Sequence, residues 1–355
     1  MAQQTVRRPA SAPAPAPDKR RTINYWAMKA FSVGGPLPFL LVLLVIGFGI
    51  VNPVFLSPQN MQSIATMGVF LLLTALAQTL ILISGGFDLS VGSNIALTSV
   101  CSALVMQSVY GGIEEYTGLA MVWGFLTAVL VGLIVGLING IGVAILRVNA
   151  FIVTLATMSI VAGITMVISG GREISGLPTL FTHGVGSGRV GPVPTALLLT
   201  IPVVAVLFVV LRWTRYGKSI YAIGGNEIAA TVAGIRVKTN LIVAYALGGV
   251  LTAFAGWLLT ARVSSGQPQL GGEYMMMSIT AAIIGGASLR GGRGGVGGTI
   301  LGVLFIVGLT NGMNLIRMDS NQQAVAVGIA LVVSILISRA REHTRRAVAV
   351  MELSK

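Results

Sequence analysis

Long apolar runs, broken by short stretches of glycine, proline or charge, recur along the chain from about residue 36 to residue 338. A hydrocarbon core of roughly 30 Å takes about 20 apolar residues per helical crossing. By that measure the pattern predicts about ten membrane-spanning helices, over 36–51, 61–84, 92–109, 119–146, 149–169, 193–211, 241–262, 274–289, 295–316 and 321–338. The expected fold class is an all-α, polytopic integral membrane bundle. It has a membrane domain over 36–338, a disordered basic Ala/Pro-rich tail and lead-in over 1–35, and a basic tail over 339–355. The first apolar run lacks a small-residue cleavage pattern, so it is read as a span and not as a signal peptide.

Composition agrees: 54% of the 355 residues are hydrophobic, 9% are charged and the mean hydropathy is +0.88. Such a chain lacks the polar residues to cover a water-soluble globule of this size. The net charge of +13 does not mark a nucleic-acid interface, because the basic residues flank apolar runs instead of clustering with aromatics. When the loops are alternated across the membrane, 19 of the 23 Lys and Arg fall on one side. They lie in the two tails, at Lys29, at Arg147, in the 212–240 loop, and at Arg290 and Arg293, while Arg172, Arg189, Arg262 and Arg317 fall on the other side. Cytoplasmic loops are the ones enriched in Lys and Arg, so both termini are expected in the cytosol. Residues 170–192 are then expected outside and 212–240 inside.

Glycines recur every four residues at Gly132, Gly136 and Gly140, and again at Gly294, Gly298 and Gly302. Each set lies on one helical face and reads as a surface where backbones approach closely.

No enzyme site emerges. His183 and His343 are isolated, no cluster has metal-ligand spacing, and Cys101 sits alone in an apolar run. Gly217-Lys218-Ser219 imitates the end of a phosphate-binding loop, but Arg212 stands where that motif needs its first glycine. No metal, cofactor or catalytic group is assigned to the chain, and ATP-driven work would need another subunit.

Three features carry candidate chemistry. The stretch from Ser84 to Ser93 interrupts two apolar runs with glycine, a carboxylate and hydroxyls. It reads either as a segment dipping back into the bundle, which only protein or a water-filled cavity tolerates, or as Asp88 and Ser90 capping the next helix at the surface. In the 212–240 loop, Gly224 and Gly225 precede Asn226, an N-cap, and Glu227, which suits a positive helix end. Gly234 can end that helix, and Ile228, Val232 and Ile235 then share a face at i, i+4 and i+7. Such a stripe fits a protein groove or lipid headgroups. Finally, Gln78, Asn139, Asn149, Asn311 and Asn314 place amides within or at the ends of spans, where they line a pathway with Asp88 or bond a neighbouring helix.

Six stretches taken in order have a familiar look. Residues 85–93 (GGFDLSVGS), 150–158 (AFIVTLATM), 170–178 (GGREISGLP), 222–235 (AIGGNEIAATVAGI), 261–271 (ARVSSGQPQLG) and 285–299 (GGASLRGGRGGVGGT) resemble the permease subunits of ribose-, xylose- and galactose-type ABC importers. The likeness runs over roughly 40–338. It implies a permease that translocates a monosaccharide or similar small polyol across the bacterial inner membrane. It also implies a second permease copy, a periplasmic sugar-binding protein outside, and a cytosolic ATPase that holds ATP and Mg and contacts the helix near 224–235. The rival class, a stand-alone secondary transporter or channel, calls for ionisable groups at mid-membrane, and only Asp88 is a candidate.

Overall fold

The structure is a computed structural model that describes residues 37–333 and Leu336; both tails and the last residues of the final predicted span lie outside the described residues. The elements run α1 (Leu37–Val51), α2 (Pro58–Ile83), α3 (Val91–Tyr110), α4 (Thr117–Ala144), α5 (Ala150–Ser169), α6 (Thr195–Trp213), α7 (Arg215–Gly225), α8 (Glu227–Val232), α9 (Val237–Val263), α10 (Gly272–Ile284) and α11 (Val296–Leu315). A further apolar helix, α12, covers Ser320–Val333. Between α5 and α6 lie a π-helical turn (Leu180–Gly186) and a two-stranded hairpin that pairs Arg189–Val190 with Val193–Pro194.

Six of these are long and apolar enough to cross a membrane: α2, α4 with its leading turn, α5, α6, α9 and α11. The chain is a helical membrane protein. The other predicted spans also hold helices, but shorter or more polar ones: α1 has 15 residues, α10 has 13, and the 20 residues of α3 include Ser93, Asn94, Thr98, Ser99 and Ser102.

Burial orders the bundle. The most apolar windows of α2 and α9 are 78% and 72% buried, against 22–28% for α4, α5 and α6, so α2 and α9 are the central helices. Leu73, Leu76, Leu80 and Ile83 of α2 pack with Ala244, Leu251 and Leu258 of α9 in one apolar core. The expected glycine ridge on α4 meets α9. A methyl at Gly136 would overlap the Tyr245 carbonyl oxygen and stand 2.8 Å from Ala246 Cα, and one at Gly140 would stand 2.9 Å from Ile242 Cα. On α11, Gly298 and Gly302 meet the backbone of Gly285 and Ala281 in the same way. These contacts are backbone to backbone, which rotamer changes cannot relieve. Gly136→Ala is therefore expected to cost about 1–3 kcal/mol by overpacking, seen as a lower melting temperature of the detergent-solubilised protein, whereas Gly163→Ala, facing open space, should not.

The two long connections lie at opposite ends. Arg189 bonds Gln62 and Arg262 bonds Ser187, which gathers the 170–192 region with the start of α2 and the end of α9. At the other end, Tyr221 bonds Gly294, and Ala144, Ile223, Ala230 and Val237 share an apolar cluster. Among the described residues, that second end carries Arg147, Arg212, Arg215, Lys218, Arg236, Lys238, Arg290 and Arg293, and it is called the basic end below.

The region expected to be a loop with one helix, 212–240, contains two. Thr214 accepts from Gly217 N–H at 3.2 Å and starts α7, whose Gly217, Ile220 and Ile223 are buried on one side. Gly217-Lys218-Ser219 therefore lies in the first turns of a helix, not in a phosphate-binding loop. Gly224 and Gly225 end α7 and do not belong to the next helix.

Candidate functional site

Residues 84–90, between α2 and α3, do not cap a helix at the surface. The chain leaves α2 at Ile83, turns at Gly85 (φ +84°) and folds back, so that the Asp88 carbonyl accepts from the side-chain amide of Gln78. Gln78 lies five residues before the end of α2, roughly 7–8 Å deeper at 1.5 Å per residue. Asp88 is 3% exposed, and Gln78 and Asn139 are fully buried. The residue that precedes α3 is Ser90, and its side chain makes no capping bond to the helix.

The fold-back brings together four residues singled out in the sequence, Gln78, Asp88, Ser90 and Asn139, and one that was not, Tyr245. Asp88 Oδ1 accepts from Ser90 N–H at 2.7 Å and from Ser90 Oγ at 2.6 Å, with Asn139 Nδ2 at 3.4 Å. Asn139 Nδ2 also donates to Ser90 Oγ at 2.8 Å. The Tyr245 hydroxyl, from α9, accepts from Phe87 N–H at 3.2 Å and donates to Phe87 carbonyl at 3.1 Å. Irregular backbone at membrane depth survives only where protein satisfies it, and Gln78 and Tyr245 do so here. The Gln78 Oε1 and Asn139 Oδ1 atoms are buried without a partner. The signal for Tyr245 was one aromatic hydroxyl in the first third of an apolar run, too common to stand out.

A second interruption lies beside it. Residues 264–271, before α10, run without helix along α3: Gly266 pairs with Ile174, and Gln267 N–H donates to Ser99 Oγ at 3.2 Å. At Gly271 the chain packs against Ile95 and Gly92. Two broken segments thus flank the start of α3, and discontinuous helices of this kind form the solute sites of many transporters.

The remaining predicted amides are elsewhere. Asn149 is exposed at the basic end and accepts from Phe151 N–H at 2.9 Å as the cap of α5. Asn311 and Asn60 exchange bonds of 3.0 and 2.9 Å between α11 and α2, and Asn314 accepts from Gln323 at 2.7 Å. These three do not join the Asp88 cluster.

At the basic end, Asn226 Oδ1 accepts from Ala229 N–H at 3.0 Å and caps α8, as its sequence position indicates. Ile228 and Val232 stand 79% and 86% exposed. Ile235 does not continue their stripe, because α8 stops at Val232 and Gly234 (φ +79°) reverses the chain, turning Ile235 onto the cluster of Ala144, Ile223 and Leu241. Beside α8 runs an open groove of about 830 Å³, bounded by Arg147, Glu227, Val232, Arg236 and Lys238. The helix rests on α7, where burial raises the pKa of the Tyr221 phenol, opposed in smaller measure by Arg212. The protonated hydroxyl donates to the Gly294 carbonyl at 2.9 Å.

Comparison with known proteins bears out the resemblance read from the six stretches. Residues 60–338 match the family described as the branched-chain amino acid transport system permease component. The ribose import permease protein of Bacillus subtilis (strain 168) is 38% identical over 304 residues, covering 85% of this chain and 92% of the relative. The galactose/methyl galactoside import permease protein of Escherichia coli (strain K12) is 35% identical over 313 residues, 86% and 93% of the two chains. A probable ABC transporter permease protein of Sinorhizobium fredii is 34% identical over 309 residues, 87% and 90%. No solved structure matches. With most of its length matched by the family and by import permeases above 30% identity, the chain belongs to the branched-chain amino acid transport system permease component family.

Proposed function

We propose that this chain is the membrane-spanning permease subunit of an ABC importer for a monosaccharide or a similar small polyol. The observation that carries the reading is near full-length similarity to ribose and galactose import permeases. Support comes from a short helix, α8, that presents two bare aliphatic side chains to solvent at the basic end.

In this reading the basic end faces the cytosol of a bacterium, both tails lie on that side of the inner membrane, and about ten helices cross, α1, α3, α10 and α12 adding to the six long ones. The cytosolic ATPase binds ATP and Mg and seats α8 in a groove. A periplasmic binding protein delivers the sugar to the 170–192 end, and a second copy of the permease completes the pathway. Gln78, Asp88 and Asn139 line the path at its narrow inner end. Affinity resides in the binding protein, so the path needs only to offer polar groups briefly.

Reconstitution with its ATPase and binding protein in proteoliposomes should give ATP-dependent accumulation of D-ribose or D-galactose; accumulation of neither, in a preparation that hydrolyses ATP, would remove the sugar assignment. Orientation is checked separately. Ser187 and Lys218 are both exposed, at opposite ends of the bundle. In a Cys101→Ser background, Ser187→Cys should react with an impermeant maleimide in intact cells, and Lys218→Cys only after lysis. Labelling of both from outside would refute this orientation.

A further inference from the structure

Three of the glycine-rich stretches converge on one point at the basic end. Gly85 belongs to the first, Gly224 to the fourth, and Gly291 and Gly292 to the last. Gly292 N–H donates to the carbonyl of Ile83, the last residue of α2, at 2.9 Å. A methyl at Gly224 would overlap that same Ile83 carbonyl and stand 2.5 Å from Gly292 N. One at Gly291 would stand 2.9 Å from both Gly224 Cα and Gly85 Cα, at a φ of +81° that side chains rarely adopt. Tyr221 ties the arrangement to the start of α11 through Gly294.

What this point connects matters more than its tightness. Three residues after Gly224 the chain enters α8, and three residues after Gly85 it reaches Asp88. Side chains between two moving parts absorb displacement by changing rotamer, whereas glycine backbones in direct contact have no such slack. Coupling also needs an element with more than one arrangement, and the 84–90 turn has the marks of one. Two of the fully buried amides around it, Gln78 and Asn139, leave an oxygen unpartnered in this state, so an arrangement of the turn that fills those oxygens is favoured by hydrogen bonding.

We infer that the Gly85–Gly224–Gly291 contact is the rigid joint through which movement of α8 repositions the Asp88 turn, and that these glycines are positioning residues for the transport step. The inference rests on the importer reading above, with α8 as the surface that the ATPase moves.

The test uses the permease–ATPase complex in lipid nanodiscs, with Phe87→Cys in a Cys101→Ser background as a reporter on the turn. Trapping the ATPase with ATP and vanadate should change the maleimide reaction rate at residue 87 at least threefold. Gly224→Ala should abolish that change while the ATPase still co-purifies and hydrolyses ATP. Should Gly224→Ala not assemble, Tyr221→Phe, which removes only the bond to Gly294, should at least halve the change, and Gly163→Ala, in open space on α5, should leave it intact. A full-sized change in Gly224→Ala, or in Tyr221→Phe where the alanine variant does not assemble, overturns the joint, as does an unchanged rate in the unmutated complex despite hydrolysis. If no ATPase co-purifies with the unmutated chain, the importer reading itself falls, and the joint with it.

Discussion

Val232→Asp should strip the ATPase from the permease while leaving the membrane bundle assembled. Val232 is 86% exposed, the most exposed residue of the α8 stripe, and it is not a member of the apolar clusters that hold the helices together. In the free permease a carboxylate there stays in water and costs little. On docking it would be driven into an apolar groove without a partner, and an unpaired buried charge costs about 3–5 kcal/mol. At 1.4 kcal/mol per factor of ten, affinity should fall by about two to three and a half orders of magnitude. Pull-down of the ATPase by solubilised permease, scored beside the elution profile of the permease alone, measures both halves. Undiminished co-purification would show that α8 is not the docking surface. Val232→Ile, larger but apolar, should dock normally, which separates charge from shape.

The helical bundle was legible because bilayer burial writes itself into long apolar runs, and helix ends were legible where one side chain sets them. Asn226 caps α8 from the position its sequence assigns, whereas Asn149, read as a pathway or helix-bonding amide, caps α5 instead. Glycine spacing at Gly132, Gly136 and Gly140 identified the face that meets α9, since a four-residue repeat has one structural meaning on a membrane helix. Helix α7 was not legible: it is only 11 residues long, its buried face amounts to Gly217, Ile220 and Ile223, and its cap, Thr214, sits beside two arginines that read as loop. Ile235 was misplaced because periodicity carries a stripe past the point where Gly234 turns the chain.

The candidate site was legible in parts but not as a constellation. Gln78, Asp88 and Asn139 stood out singly, as polar groups in or beside apolar runs. Their meeting depends on the fold-back at Gly85 and on the close approach of α4 to α9, both of them tertiary facts. Tyr245, 158 residues from Phe87, and Asn60, 251 residues from Asn311, lie too far along the chain for local pattern to pair them. The same holds for the convergence of Gly85, Gly224 and Gly291. Each was visible as glycine, and none indicated the others.

Removing the Asp88 side chain should unmake the turn that it holds. Asp88→Ala deprives Ser90 N–H and Ser90 Oγ of their acceptor and takes the carboxylate from Asn139 Nδ2, which keeps its 2.8 Å bond to Ser90 Oγ. Water does not readily replace it, as the site is 3% exposed. Each buried donor left without an acceptor costs about 1–3 kcal/mol, so the loss is about 2–6 kcal/mol, a large part of the 5–15 kcal/mol that typically separates folded from unfolded protein. The expected result is a sharp fall in the monodisperse peak on size-exclusion chromatography and a melting transition lowered by about 4 °C or more, at about 2 °C per kcal/mol. Asp88→Asn distinguishes architecture from charge. Its Oδ1 can still accept from Ser90, so yield and melting should stay close to those of the parent. If Asp88 lines the path as proposed, sugar uptake by the reconstituted importer should nonetheless fall at least tenfold, because the substitution removes the only charge in that cluster. Full uptake by the Asn variant would reduce Asp88 to an architectural residue, and an Ala variant as stable as the parent would show that the turn is held by Gln78 and Tyr245 alone.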